Sequence, residues 1–177
     1  MKSSVKYVYD FQKELSVLKE IEALLSWDQM TFMPPRGVRR RAEQFSLISK
    51  ISHEKIISDK LWKHIENLTR PSVFDKLNDA DRAVVKRLRS DVEKARKIPV
   101  DYIERLSKTT TLAYSAWERA RNKDDFSIFR PYLENVVELQ KEFCRYIDLP
   151  GSSYNSILDN YEEGMTVEKL EKEFSYL

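Results

Sequence analysis

Apolar residues return at three- and four-residue steps along nearly the whole chain, a spacing that lines one face of an α-helix and leaves little room for another fold class. Over 4–32 the row is Val8, Phe11, Leu15, Leu18 and Leu25, with Ile21 and Leu24 widening it toward a second neighbour. Met33-Pro34-Pro35-Arg36-Gly37 ends that helix, because proline lacks the next N–H donor and pushes its predecessor out of the helical region. A second helix is predicted over 38–57, carrying Ala42, Phe45, Ile48 and Ile51 on one side. The two make a helical hairpin over 4–57 joined at Pro34-Pro35. Asp59 reads as the cap of a shorter helix over 59–68 that Pro71 closes. Asn78-Asp79-Ala80-Asp81 is an opening signature for a helix over 78–97, and Pro99 suits the first turn of the next, which extends to Asn122. Asp125 is the expected cap of a helix bearing Phe129, Leu133, Val136, Phe143 and Ile147, with Pro131 tolerated in its first turns. A loop over 149–153, a short helix over 154–161 with Gly164 as terminator, and a Thr166-capped helix running to Leu177 complete the reading.

Composition agrees with that pattern. With 3 glycines and 34 % charged residues, the chain favours long solvated helices over tight turns. Strand-like alternation is absent, so the expectation is all-α, an array of about six to eight mostly long antiparallel helices forming a single helical domain over 1–177. A pattern that reaches Leu177 without a closing cap suggests a truncated or split-gene product.

Several function classes are disfavoured. The net charge is +2, and Lys and Arg alternate with Asp and Glu along each helix, so no nucleic-acid partner is expected, even with Arg39–Arg41 and the arginines over 87–96 in view. No uncharged stretch is long enough to cross a bilayer, which argues against a membrane partner. Cys144 is the single cysteine and has no partner for an internal disulfide; with Lys6 and Asp10 breaking the early apolar run, the chain reads as cytoplasmic.

Catalytic motifs are likewise missing. His53-Glu54-Lys55-Ile56-Ile57 is half of an H-E-x-x-H zinc motif, which needs imidazoles one helical turn apart, and isoleucine stands where the second should be. His64 is eleven positions on, in the next predicted helix, so His53 is read as a surface-helix residue and no metal site is assigned. Cys144 on an apolar helix reads as inert core, and there is no nucleophile elbow or phosphate loop. Asp124-Asp125, Glu162-Glu163 and Asp79-Asp81 each stand at a helix boundary, where capping explains them; Trp62 and Trp117 read as core packing or lobe interface. No catalytic residue is therefore expected in this chain.

One segment asks for more. Asp28 in Ser26-Trp27-Asp28-Gln29-Met30-Thr31 sits near a helix C-terminus, where a negative charge opposes the macrodipole and needs a cationic partner; Arg36 and Arg39–Arg41 are the candidates. A buried Trp-Asp-Arg corner tying two long helices together is expected.

Leu25-Ser26-Trp27-Asp28-Gln29 with Thr31, Met33-Pro34-Pro35, Gly37, Arg41, Gln44 and Leu47 resembles the N-terminal signature of the carboxypeptidase Taq family of zinc metallocarboxypeptidases. Trp117, Arg121, Asp125-Phe126, Phe129, Pro131 and Leu133-Glu134 keep the family's order, as do Tyr154, Leu158-Asp159, Tyr161-Glu162 and Gly164-Met165-Thr166. The resemblance implies the N-terminal lobe of a helical, often dimeric enzyme that removes C-terminal residues from peptides. It also implies zinc for a complete member, with the zinc motif beyond the matched region. Trp27, Asp28, Gln29, Thr31, Met33, Pro34, Pro35, Arg41 and Gln44 are implied structural or cleft-wall positions. The implied partner is a catalytic portion; the alternative is a stand-alone interaction module that forms a homo-oligomer through an exposed apolar face.

Overall fold

The computed structural model describes residues 2–176, and among them every regular element is helical. The helices are α1 (Lys2–Thr31), α2 (Val38–Ile56), α3 (Asp59–Leu68), α4 (Pro71–Phe74), α5 (Asp79–Ala95), α6 (Val100–Asn122), α7 (Arg130–Ile147), α8 (Asn155–Leu158) and α9 (Val167–Phe174). Short 3-10 turns stand at Pro35–Gly37 and Phe126–Ile128. This is the all-α array that the periodicity predicts. Two compact units divide it between Ser115 and Ala116.

In the first unit α1 and α2 form a hairpin. Three pairs cross it: Asp28 with Arg41, Glu22 Oε1 accepting from Ser49 Oγ at 3.1 Å, and Glu14 with Lys55 at 2.8 Å. As one partner moves back along α1 the other moves forward along α2, so the two helices run antiparallel. Toward its start α1 sends Val8 and Phe11 into a cluster with Leu61, Ile65 and Leu68 of α3 and Val85, Leu88 and Val92 of α5. Leu61, Ile65, Leu68 and Val92 have no exposed surface at all. Fully burying each such side chain contributes about 1.5–3 kcal/mol, which makes this seam the main source of the unit's stability.

Ile21 and Leu24 do not widen the packed row; both are exposed, on the side of α1 away from the cluster. The boundaries also shift for local reasons. Ser58, with extended backbone and its hydroxyl accepting from the Leu61 amide, caps α3, so Asp59 becomes its first residue and favours the positive end of the helix dipole. Pro71 opens α4 instead of closing α3, since a missing N–H costs nothing in a first turn. Asn78 caps α5 as expected, through the Asp81 amide at 2.8 Å.

In the second unit Asp125 caps the 3-10 turn and not the helix: Oδ1 accepts from the Ser127 amide at 3.0 Å, and α7 begins at Arg130 with Pro131 in its first turn. Leu139, Phe143 and Ile147 form the buried row of α7, and Asp148 ends it in the left-handed region at φ 48°. The helix predicted over 154–161 contracts to α8, Asn155–Leu158. Thr166 caps α9 through the Lys169 amide; Leu177, the predicted end of that helix, lies outside the described residues.

Two buried polar side chains organise the stretch between α7 and α9. Asn155 donates from Nδ2 to the Pro150 carbonyl at 2.9 Å and accepts at Oδ1 from the Val167 amide at 2.8 Å. Ser156 Oγ accepts from the Leu149 amide. Both residues are at most 2 % exposed, so these partners satisfy groups that water cannot reach.

Candidate functional site

Two faults in helix geometry build the corner at the α1–α2 turn. Pro34 takes an extended conformation (φ −60°, ψ 144°), and Pro35 opens the 3-10 turn that Gly37 closes by donating to the Pro34 carbonyl at 2.7 Å. The last carbonyls of α1 are satisfied locally: Asp28 O accepts from the Phe32 and Met33 amides at 3.0 and 2.9 Å, and Thr31 Oγ1 donates to Trp27 O at 2.7 Å. Met33 folds back so that its Cγ would lie 3.1 Å from a Cβ placed on Gly37, which keeps that position small.

Arg41 is the hub. It enters from α2 with a 9 % exposed side chain and uses all three guanidinium nitrogens. One donates to the Leu25 carbonyl, another to Asp28 Oδ2, and Nε to Gln44 Oε1 at 2.9 Å. A planar fork that addresses a carbonyl, a carboxylate and an amide at once needs arginine; lysine, a point charge on a flexible stem, cannot span them. Of the cationic candidates for Asp28, Arg36 and Arg39–Arg41, the geometry selects Arg41. Arg40 instead pairs with Glu43 at 2.6 Å on the surface.

The expected burial of the whole Trp-Asp-Arg corner is corrected in one part. Arg41 is buried and Asp28 half-buried, but Trp27 is 54 % exposed and meets Phe32 edge to face, ring centres 5.4 Å apart. Trp27 lies on the flank of α1 turned away from α2, so an apolar side chain is left facing solvent. Gln29 stands on the wall of a separate cleft of about 250 Å³ with Ser26, Thr110 and Tyr114. The corner thus brings together Asp28, Arg41 and Gln44 beside the Pro34-Pro35 turn, and leaves Trp27 and Gln29 on different surfaces.

The histidines have structural partners. His53 is buried and not on the surface as expected; its Nε2 lies 2.8 Å from the Ile98 carbonyl, forty-five positions away. His64 stacks on Tyr7 with ring centres 4.1 Å apart and meets Ser4 Oγ at 3.0 Å. Among the described residues no three His, Cys, Asp or Glu side chains converge as metal ligands. Among the described residues the donor set does not fit zinc. Groups with displaced pKa values stand apart from the corner: hydrogen bonding to Asp81 raises Tyr9, burial raises Cys144, and backbone hydrogen bonding at the start of α9 lowers Glu168. Sequence reasoning missed Asn155 and Ser156; no motif marks a side chain whose partners are main-chain groups.

This helical arrangement is that of solved carboxypeptidases. The chain superposes on the BsuCP crystal structure with a TM-score of 0.94 and 32 % identity, covering 98 % of this chain and 35 % of that one. Its residues 8–177 match the model of the carboxypeptidase Taq (M32) metallopeptidase family, to which the chain belongs. Thermostable carboxypeptidase 1 of Pyrococcus furiosus is 30 % identical over 98 % of this chain and 34 % of its own length. Carboxypeptidase 1 of Bacillus subtilis is 33 % identical over 97 % and 34 %. The chain therefore spans about a third of the length of the relatives it matches. Among the described residues no helix is long and apolar enough to cross a membrane.

Proposed function

We propose that this chain forms the N-terminal, non-catalytic portion of a carboxypeptidase of the Taq type, an enzyme that removes C-terminal residues from peptides, and that it is inactive without a catalytic portion. One observation carries the reading: nearly all of the chain aligns with about a third of each carboxypeptidase, while both of its histidines are tied into structural contacts. In this reading zinc is held by residues outside the chain, and the Asp28–Arg41–Gln44 corner fixes the angle between α1 and α2 so that the hairpin can wall a cleft.

Assay of the purified chain tests this directly. It should bind no stoichiometric zinc and release no amino acid from peptides, and adding the remaining two thirds of a relative should restore cleavage. Chelator-sensitive hydrolysis by the chain alone would refute the reading.

A second reading rests on a different observation. Val17, Ile21, Leu24 and Trp27 along α1 and Phe32 just past its end are all more than two-fifths exposed, with Leu24 at 64 % and Phe32 at 73 %. An apolar row of this length is the kind of surface that proteins cover by association, with a catalytic portion or with a second copy of the chain. Sedimentation across a hundredfold dilution separates the two: a monomer at every concentration removes self-association, and a dimer weakened by Leu24→Glu supports it.

A further inference from the structure

The second unit holds a cleft that the peptidase reading does not use. It has a volume of about 670 Å³ and lies between α7 and the loop that Asn155 and Ser156 hold in place. That volume is within the range of small-molecule sites, and the wall is built in advance by buried hydrogen bonds. Its apolar surface comes from Val137, Leu149, Tyr154 and Ile157, with the half-buried Cys144 among them.

The rim carries charge in a specific arrangement. Lys141 is matched by Glu138 at 2.7 Å. Arg145 and Asp148, both exposed, line the cleft and form no ion pair among the described residues, with each other or with any other group. Arg145 stands in the last turn of α7 and Asp148 just past its end, three positions on. The carbonyl end of α7 adds negative potential beside Asp148.

We infer that this cleft binds a short zwitterionic peptide with apolar side chains, its carboxylate on Arg145 and its ammonium beside Asp148. An apolar floor beneath one unmatched cation and one unmatched anion selects for a ligand that is greasy in its middle and oppositely charged at its ends. A dipeptide suits two charges that stand three positions apart on the chain, since two extended residues span at most about 7 Å. A fatty acid would satisfy Arg145 and leave Asp148 facing hydrocarbon; an amine would do the reverse. The inference does not depend on the peptidase reading, because it concerns binding by residues within 137–157.

Calorimetric titration of the full chain with the dipeptide Leu-Phe tests it. The expected result is saturable binding with Kd on the order of 0.1–1 mM, as suits a ligand of this size. Capping the amino end with acetyl, or the carboxyl end as the amide, should weaken binding about tenfold each, the loss typical of one charged contact. Arg145→Gln should weaken Leu-Phe similarly and erase the penalty for the amide alone, while Asp148→Asn should erase the penalty for acetylation alone. Asparagine tolerates the left-handed conformation of position 148, so the fold is kept, and far-ultraviolet circular dichroism of both variants checks this. As an independent readout, bound Leu-Phe should slow modification of Cys144, the single thiol, by Ellman's reagent. Absence of saturable heat at 10 mM, equal binding of blocked and free dipeptides, or variants that bind as the parent does would each overturn the proposal. Failure here leaves the peptidase reading standing, since that is judged by complementation.

Discussion

Arg41 and Asn155 do similar work in opposite ways. Each is a buried polar side chain that pins a turn by hydrogen bonding across it. Arg41 does so with a charge and a carboxylate partner; Asn155 is neutral and meets only backbone. The difference teaches where recognition from sequence is possible. A buried charge demands a counter-charge, and that demand can be read from Asp28 at a helix end. A buried amide demands only a carbonyl and an N–H, which every stretch of chain supplies.

The comparison predicts a ranking. Arg41→Ala should be the more damaging change, lowering stability by about 3 kcal/mol, because the Leu25 carbonyl and Gln44 lose their donor; the half-exposed Asp28 regains water and moderates the loss. Urea denaturation measures this, and Arg41→Lys should recover less than half of it if the planar fork matters and not the charge alone. Asn155→Ala should cost about 2 kcal/mol by leaving the Pro150 carbonyl and Val167 amide unanswered. Hydrogen exchange should then speed up at Val167 and through 149–158 while 38–56 stays protected; a larger effect from Asn155 than from Arg41 would reverse the ranking.

Smallest is a pH effect at a third long-range contact, Tyr9 Oη to Asp81 at 2.8 Å. Its folded pKa is raised above the ordinary value of 10.0, so the contact's contribution is fully present below pH 10 and lost as pH rises through the folded pKa. Denaturation midpoints across pH 9 to 11 should fall more steeply for the parent chain than for Tyr9→Phe; parallel curves would show that this hydroxyl does not couple to folding.

The helices themselves were legible because their signal is repeated: five or six apolar positions per element outvote any single residue. The caps at Asn78 and Thr166 were legible, and the one at Ser58 was misplaced by one residue onto its neighbour Asp59. Within the corner, the Asp28–arginine pairing followed from helix electrostatics, yet which arginine answers depends on the side of α2 that meets α1. Exposure of Trp27, Ile21 and Leu24 was not legible, since an apolar side chain often remains outside when no neighbour covers it. His53 was missed for the reason Asn155 was: its partner is a carbonyl forty-five positions away.

The three cross-hairpin pairs also govern which changes in length the chain can survive. Losing one residue of α1 between Glu14 and Asp28 swings everything after the cut by about 100° around the helix axis, so the pairs on either side of the deletion can no longer be kept together. That half of the hairpin should therefore accept many changes of letter and almost none of spelling length, whereas a residue added near Gly164, where a side chain would meet nothing within 4 Å, has open space to bulge into. Gaps accumulated over evolutionary time should collect at the second place and avoid the first.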